Sequence, residues 1–149
     1  MPVRHPAPPT AHARILLVDD NAHGLSARKN VVEELGHRVS TCTSAAEALE
    51  LFGRQKFDLV VTDYKIPRMD GLELIKDLRK LAPDLPVILV SGYVDALGLT
   101  ESNTGADSVI QKSSHEVSHL TRAVNRLLRR KPARKPSAGE PPKAKRKAV

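Results

Sequence analysis

A chain of 149 residues, 40% apolar and 28% charged, makes one domain with a proper core. With only 3% aromatic residues and no Trp, that core must be aliphatic. A lone cysteine, Cys42, excludes a disulfide framework and fits a reducing compartment, and no apolar run approaches the ~20 residues that cross a bilayer. Residues 1–14 lack the apolar core of a secretion signal, so a cytoplasmic location is expected. The net charge of +7 is uneven: Arg129–Val149 holds nine basic residues and one acid, Glu140, which leaves −1 for residues 1–128.

Residues 1–13 carry four prolines and no periodic apolar pattern, and are expected to be a disordered leader. Ile15–Val18 is a short unbroken apolar run that reads as a strand covered on both faces. Leu25, Val31, Val32 and Leu35 form the stripe of a first helix, stopped by Gly36. Val39–Thr43, more polar, suits an edge strand, with Cys42 as a buried small hydrophobe. Ala45, Ala48, Leu49 and Phe52 fall at i, i+3, i+4 and i+7 behind Ser44 and Glu47, which are spaced as a capping box.

Leu59–Val61 repeats the buried-strand pattern, and Leu74, Ile75, Leu78 and Leu81 stripe a third helix that stops before Pro83. Val87–Val90 is a further buried strand. Val94–Asn103 has few apolar anchors and a glycine at 98, so a short or mobile helix is expected there. Ser108–Gln111 suits the other edge, and Val117, Leu120, Val124, Leu127 and Leu128 stripe a last helix behind the box-spaced pair Ser113 and Glu116. The ordered domain is expected over 14–130, followed by a disordered basic tail over 131–149 with four prolines and almost no bulky apolar side chain.

Strand and helix alternate throughout, and right-handed crossovers with helices on both faces give an open, doubly wound α/β sheet. Such sheets bind ligands at the carboxyl ends of their strands. Those ends carry Asp19 and Asp20, then Asp63, then Ser91, then Lys112. Three close carboxylates repel one another unless a cation joins them, and hard oxygen ligands suit Mg²⁺ completed by a phosphate. A lysine opposite neutralises phosphoryl oxygens as a point charge, a serine hydroxyl donates to the same group, and a carboxylate is itself a competent nucleophile. Each alone has a plain reading: Asp19-Asp20 as a turn and cap, Ser91-Gly92 as a turn, Lys112 as a surface lysine. Their coincidence at one rim is what points to phosphoryl chemistry.

These strings resemble the receiver domains of two-component response regulators. The resemblance rests on Leu16-Leu17-Val18-Asp19-Asp20-Asn21, Asp58-Leu59-Val60-Val61-Thr62-Asp63, Ile66-Pro67-Arg68-Met69-Asp70-Gly71, and Gly105-Ala106-Asp107 ahead of Lys112, over roughly 13–129. It implies a flavodoxin-like, CheY-like fold, with a five-stranded parallel sheet in the order 2-1-3-4-5 and five helices. It implies Asp63 as phosphoacceptor from a histidine kinase or histidine phosphotransfer protein. It further implies Asp20 as a direct Mg²⁺ ligand, Asp19 as one acting through water, and the Lys65 backbone carbonyl as a further ligand. Ser91 becomes the switch hydroxyl and Lys112 the cation that pairs with the phosphoryl group, while Pro67 and Gly71 shape the loop into the third helix and Met69 packs beneath it. Such a protein is a signalling phosphoacceptor, promoting only its own phosphorylation and dephosphorylation, and is not classed as an enzyme.

Three departures from the family pattern stand out. Val109 occupies a place usually aromatic, which weakens an aromatic readout of the switch, although Tyr93 brings a ring near the site. Ser113 stands where proline usually follows the lysine. Lys65 and Tyr93 flank the pocket and predict slow self-dephosphorylation. With all five site residues present and no output domain after the receiver, the expectation is a single-domain regulator acting by protein contact. The fourth helix, last strand and fifth helix would be its output face, toward an unidentified downstream protein or a second copy as a homodimer.

One alternative is a receiver-like adaptor, not phosphorylated, whose tail (Arg129, Arg130, Lys131, Arg134, Lys135, Lys143, Lys145, Arg146, Lys147) binds nucleic acid or an acidic surface by charge alone. A solvated tail is the plainer reading, since no aromatics interleave for base stacking. A more distant alternative is a haloacid-dehalogenase-like phosphohydrolase, whose nucleophile would stand at the first strand in an aspartate-x-aspartate pattern and not as adjacent aspartates. His115 and His119, one turn apart, lack a third metal ligand.

Overall fold

In the computed structural model the described residues are 12–134, with side chains described through 129. Five parallel strands, β1 (Arg14–Val18), β2 (Arg38–Cys42), β3 (Leu59–Asp63), β4 (Val87–Ser91) and β5 (Ser108–Gln111), pair in the order β2-β1-β3-β4-β5. This is the doubly wound sheet read from the alternation of elements, in the flavodoxin-like order that the family resemblance implies. All five residues of β3 and of β4 are buried, while β2 and β5 are mixed, as edge positions require.

The helices are α1 (Ala22–Glu34), α2 (Ala45–Arg54), α3 (Gly71–Leu81), α4 (Val94–Leu97), α5 (Glu101–Thr104) and α6 (Glu116–Arg134). Alternation along each strand divides the core. Ile15 and Leu17 point toward α1 and α6 and join Val32, Leu120, Val124 and Leu127. Leu16 and Val18 point the other way and join Ala48, Leu74, Ile75 and Leu78 beneath α2 and α3.

Several local expectations change. The helix expected near 94–103 is two single-turn helices, because Gly98 at φ 64 ends α4 and Thr100 starts α5 with a capping box. Among the described residues the helices therefore number six, where five were expected. Ser44 caps α2 by accepting the Glu47 N–H, but Glu47 returns its carboxylate to the N–H of Thr43, one residue early. Ser113 and Glu116 do not form a box: Ser113 Oγ accepts from the His115 N–H, and Glu116 pairs with Arg28. Leu81 and Val117 complete apolar stripes by spacing but are 62% and 57% exposed, since each sits at a helix end beyond the sheet's cover.

The ordered chain already includes His12 and Ala13. His12 N–H donates to Gly36 O, and Ala13 is buried beside β2. At the other end α6 runs to Arg134, past residue 130. Residues 1–11 of the expected leader and 135–149 of the expected tail lie outside the described residues. Among the described residues no helix is long and apolar enough to cross a membrane.

Candidate functional site

The chain turns outward from β1 in opposite directions to β2 and to β3, and ligands of such sheets sit at the carboxyl ends beside that switch. Asp19 follows β1, Asp63 ends β3, Ser91 ends β4 and Lys112 follows β5. These expected site residues converge there. Asp19, Asp20 and Asp63 each offer a carboxylate oxygen, all within 4.8 Å of one another, with Asp19 and Asp63 buried and Asp20 exposed. Asp20, Asp63, Lys65, Tyr93 and Lys112 line one open cavity of about 430 Å³, room enough for a phosphoryl group and a hydrated ion.

Lys112 Nζ donates to Asp63 Oδ2 at 3.0 Å, and Asp63 Oδ1 accepts the N–H of Tyr64 at 2.8 Å. Burial and the neighbouring Asp19 carboxylate raise the Asp63 pKa, while the Lys112 ammonium opposes them. Asp19 behaves in the opposite way. Burial penalises its charge, yet the Asn21 N–H and the Arg28 guanidinium outweigh that and hold its carboxyl below the usual range. Ser91, 1% exposed, accepts the N–H of Tyr93 on its hydroxyl oxygen at 2.9 Å, a bond that does not use the hydroxyl proton. Lys65 Nζ lies 5.0 Å from the centroid of the Tyr93 ring, so the two side chains meet at the cavity rim.

The loop from β3 to α3 is held close to the site. Asp70 caps α3 by accepting the Glu73 N–H, and Gly71 N donates to Tyr64 O at 2.7 Å. Asp107, in the Gly105-Ala106-Asp107 string, accepts from both Arg79 and the N–H of Val87, tying the loop before β5 to α3 and β4. Cys42 is buried and its thiol is pushed up to about 12, so it is a hydrophobe and not a nucleophile. His115 and His119 lie 6.1 Å apart between ring centroids, and neither belongs to a cluster of potential metal ligands among the described residues.

Sequence reasoning missed three residues here. Arg28, 7% exposed on α1, bonds Asp19 Oδ2 and also Glu116 Oε2. Glu116 reads as a cap by spacing, and nothing in the pattern singles out Gly24, where an added Cβ would stand 3.1 Å from Asp19 Oδ2. The available signal is that Leu25, Arg28 and Val32 fall on one stripe, which places an arginine where an apolar residue is the norm.

Fold and site together define an aspartate-centred acidic pocket at the switch point of a five-stranded parallel sheet, the architecture of a phosphoacceptor signalling domain. The chain belongs to the response regulator receiver domain family, whose model matches residues 15–125. It is 35% identical over 92 residues to the transcriptional regulatory protein GlrR of Escherichia coli, covering 60% of this chain and 21% of that protein. It is 31% identical over 119 residues to the response regulator MprA of Mycobacterium leprae, covering 78% of this chain and 51% of MprA. The chain thus spans from about a fifth to about half of the length of these relatives. Among solved structures, the response regulator TrrA of Thermotoga maritima in complex with Mg(2+)-BeF superposes with a TM-score of 0.70 at 31% identity, covering 77% of this chain and 98% of TrrA. A receiver domain from Clostridium thermocellum gives a TM-score of 0.72 at 29% identity, covering 81% of this chain and 98% of that one.

Proposed function

We propose that this chain receives a phosphoryl group on Asp63 from a phosphohistidine of a histidine kinase or a histidine phosphotransfer protein, in a reaction that needs Mg²⁺. The observation that carries the reading is Asp63 itself. It is a buried carboxylate at the end of the central strand β3, with an ammonium on one oxygen and two further carboxylates beside it. An Asp63 oxygen attacks phosphorus as the bond to the donor nitrogen breaks, leaving an acyl phosphate on the protein. Lys112, bonded to Asp63 in the unphosphorylated chain, would pair with the phosphoryl oxygens, and Ser91 would donate its hydroxyl proton to them.

The donor set fits Mg²⁺: clustered hard oxygens, only partly offset by Lys112 and Arg28, with an exposed member open to solvent. Asp20, Asp63 and the Lys65 carbonyl would hold the ion directly, with Asp19 acting through water. The ion supplies charge neutralisation of the incoming phosphoryl group. Lys65 and Tyr93 meet at the rim of the Asp63 cavity, where they would hinder the approach of water and favour a long-lived phosphorylated state.

Output would pass through α4, α5, β5 and α6, where a groove between Val94, Val109, His119, Arg122 and Arg126 offers basic side chains to a downstream protein or a second copy. Phosphorylation would shift a population between two states of that face. A cytoplasmic location agrees with the free, buried thiol of Cys42.

The test is intact-mass spectrometry after incubation with Mg²⁺ and acetyl phosphate, with Asp63→Asn alongside. A single phosphate-sized adduct that requires Mg²⁺ and disappears in the variant is the expected outcome. No adduct, where a control receiver labels, would reject Asp63 as the acceptor.

A further inference from the structure

Arg28 lies in the middle of the buried stripe of α1, between Leu25 and Val32. A buried guanidinium is strongly destabilising unless carboxylates surround it. Here two do, from different elements. Nη1 donates to Asp19 Oδ2 at 2.5 Å and Nε donates to Glu116 Oε2, in the first turn of α6, at 2.7 Å. Burial disfavours the arginine's charge, and these two hydrogen bonds more than restore it.

The helix makes room for the contact. A Cβ at Gly24, one turn earlier, would stand 3.1 Å from Asp19 Oδ2 and 3.4 Å from Arg28 Nη1, so only glycine leaves the gap open without a shift. The other oxygen of Asp19 accepts the Asn21 N–H at 2.9 Å. Both oxygens of one acid in the carboxylate cluster are thus already engaged by donors of the protein. A cation fixed on Asp19 opposes a second cation beside it, because like charges repel strongly where solvent is excluded.

We propose that Arg28 is a tethered cation that competes with the divalent ion for Asp19, and that Glu116 is the carboxylate it falls back on when the ion binds. Metal affinity is then set by a side chain on α1, and metal occupancy is felt at the first turn of α6. The inference rests on the reading above that Asp19, Asp20 and Asp63 hold a divalent ion. It makes Arg28 a positioning residue, acting through Asp19 and not on the phosphoryl group.

Binding of Mn²⁺ to the full chain, followed through the electron paramagnetic resonance of the free ion, tests this at fixed pH. Arg28→Met is expected to bind at least tenfold more tightly than the unaltered chain. Glu116→Gln is expected to bind at least threefold more weakly, because the guanidinium then has only Asp19. A purely structural role gives weaker or equal binding in both, so the opposite signs are the signature.

Melting in Mg²⁺ gives a second readout. Arg28→Met should melt below the unaltered chain without metal, and the gap should close as Mg²⁺ is added. Mn²⁺ binding by Arg28→Met that equals or falls below that of the unaltered chain overturns the proposal. If Arg28→Met does not fold, Glu116→Gln decides alone, and equal or tighter binding overturns it. An unaltered chain that binds Mn²⁺ and takes phosphate while Arg28→Met binds no tighter removes this inference and leaves the functional reading standing. An unaltered chain that binds no Mn²⁺ removes both.

Discussion

An alanine methyl at position 71 would lie 2.5 Å from the backbone oxygen of Asp63, 3.0 Å from Leu89 Cδ1 and 3.1 Å from Tyr64 Cα. Two of these three neighbours are backbone, so the clash cannot be relieved by turning a side chain. The first turn of α3 would have to move away from β3, stretching the Gly71 N–H bond to Tyr64 O. Gly71→Ala is therefore expected to lower stability by roughly 1–3 kcal/mol, the usual range for overpacking. It should also reduce acetyl phosphate labelling of Asp63, since the added methyl presses on that residue's own backbone oxygen. Gly53→Ala is the matched control: it lies within α2, nothing approaches its added methyl within 4 Å, and it should stabilise by about 0.4–1 kcal/mol. Chemical denaturation of the two variants checks both signs, and a neutral Gly71→Ala would show that the loop has slack.

Among the elements, α4 and α5 are held least. Thr104 is their only buried residue, and Leu97 is 53% exposed. Their ties to the sheet are polar: Asp95 N–H to Gln111 Oε1, Gln111 Nε2 to Gly92 O, and Glu101 Oε2 to the Val109 N–H. Segments with few buried apolar contacts open at low free energy. Amides of residues 94–103 are expected to exchange orders of magnitude faster than those of β3 and β4, and hydrogen-exchange mass spectrometry reads this directly. Comparable protection in both would mean that the two short helices belong to the cooperative core.

The weakness of this segment is legible in the sequence, because apolar anchors are missing there. Its division is not, because Gly98 ends a turn only where the following Thr100 can cap a new one. Periodicity also locates β3, β4 and the rim residues Asp63 and Ser91. It fails at Leu81 and Val117, where the spacing continues but the sheet beneath does not. It fails most at Arg28, since a pattern of polar and apolar classes cannot reveal that two carboxylates from distant segments will meet one guanidinium.

Across the whole domain, the entry of the chain is locked to the edge of the sheet by a histidine. The ring of His37 is buried, and its Nδ1 accepts the N–H of Ala13 at 3.2 Å, just before β1 begins. Accepting requires a lone pair, so the ring must be neutral with its proton on Nε2. Burial lowers the His37 pKa, nearby His12 lowers it further, and Asp58 only partly opposes them. The unfolded chain therefore binds a proton at His37 at pH values where the folded chain does not, and stability must rise with pH through that window. The contribution is whole above the unfolded value of about 6.5 and is lost as pH falls toward and through the lower folded value. The denaturation midpoint is expected to be lower at pH 5.5 than at pH 7.5, and His37→Gln should flatten that difference. At pH 7.5 the substitution should itself cost about 1 kcal/mol, the net worth of one hydrogen bond. Because Arg38 N–H pairs with Ala13 O and His12 N–H with Gly36 O, the same protonation should loosen residues 12–14 and the start of β2 together. An unchanged pH slope in His37→Gln would assign the acid sensitivity to other groups.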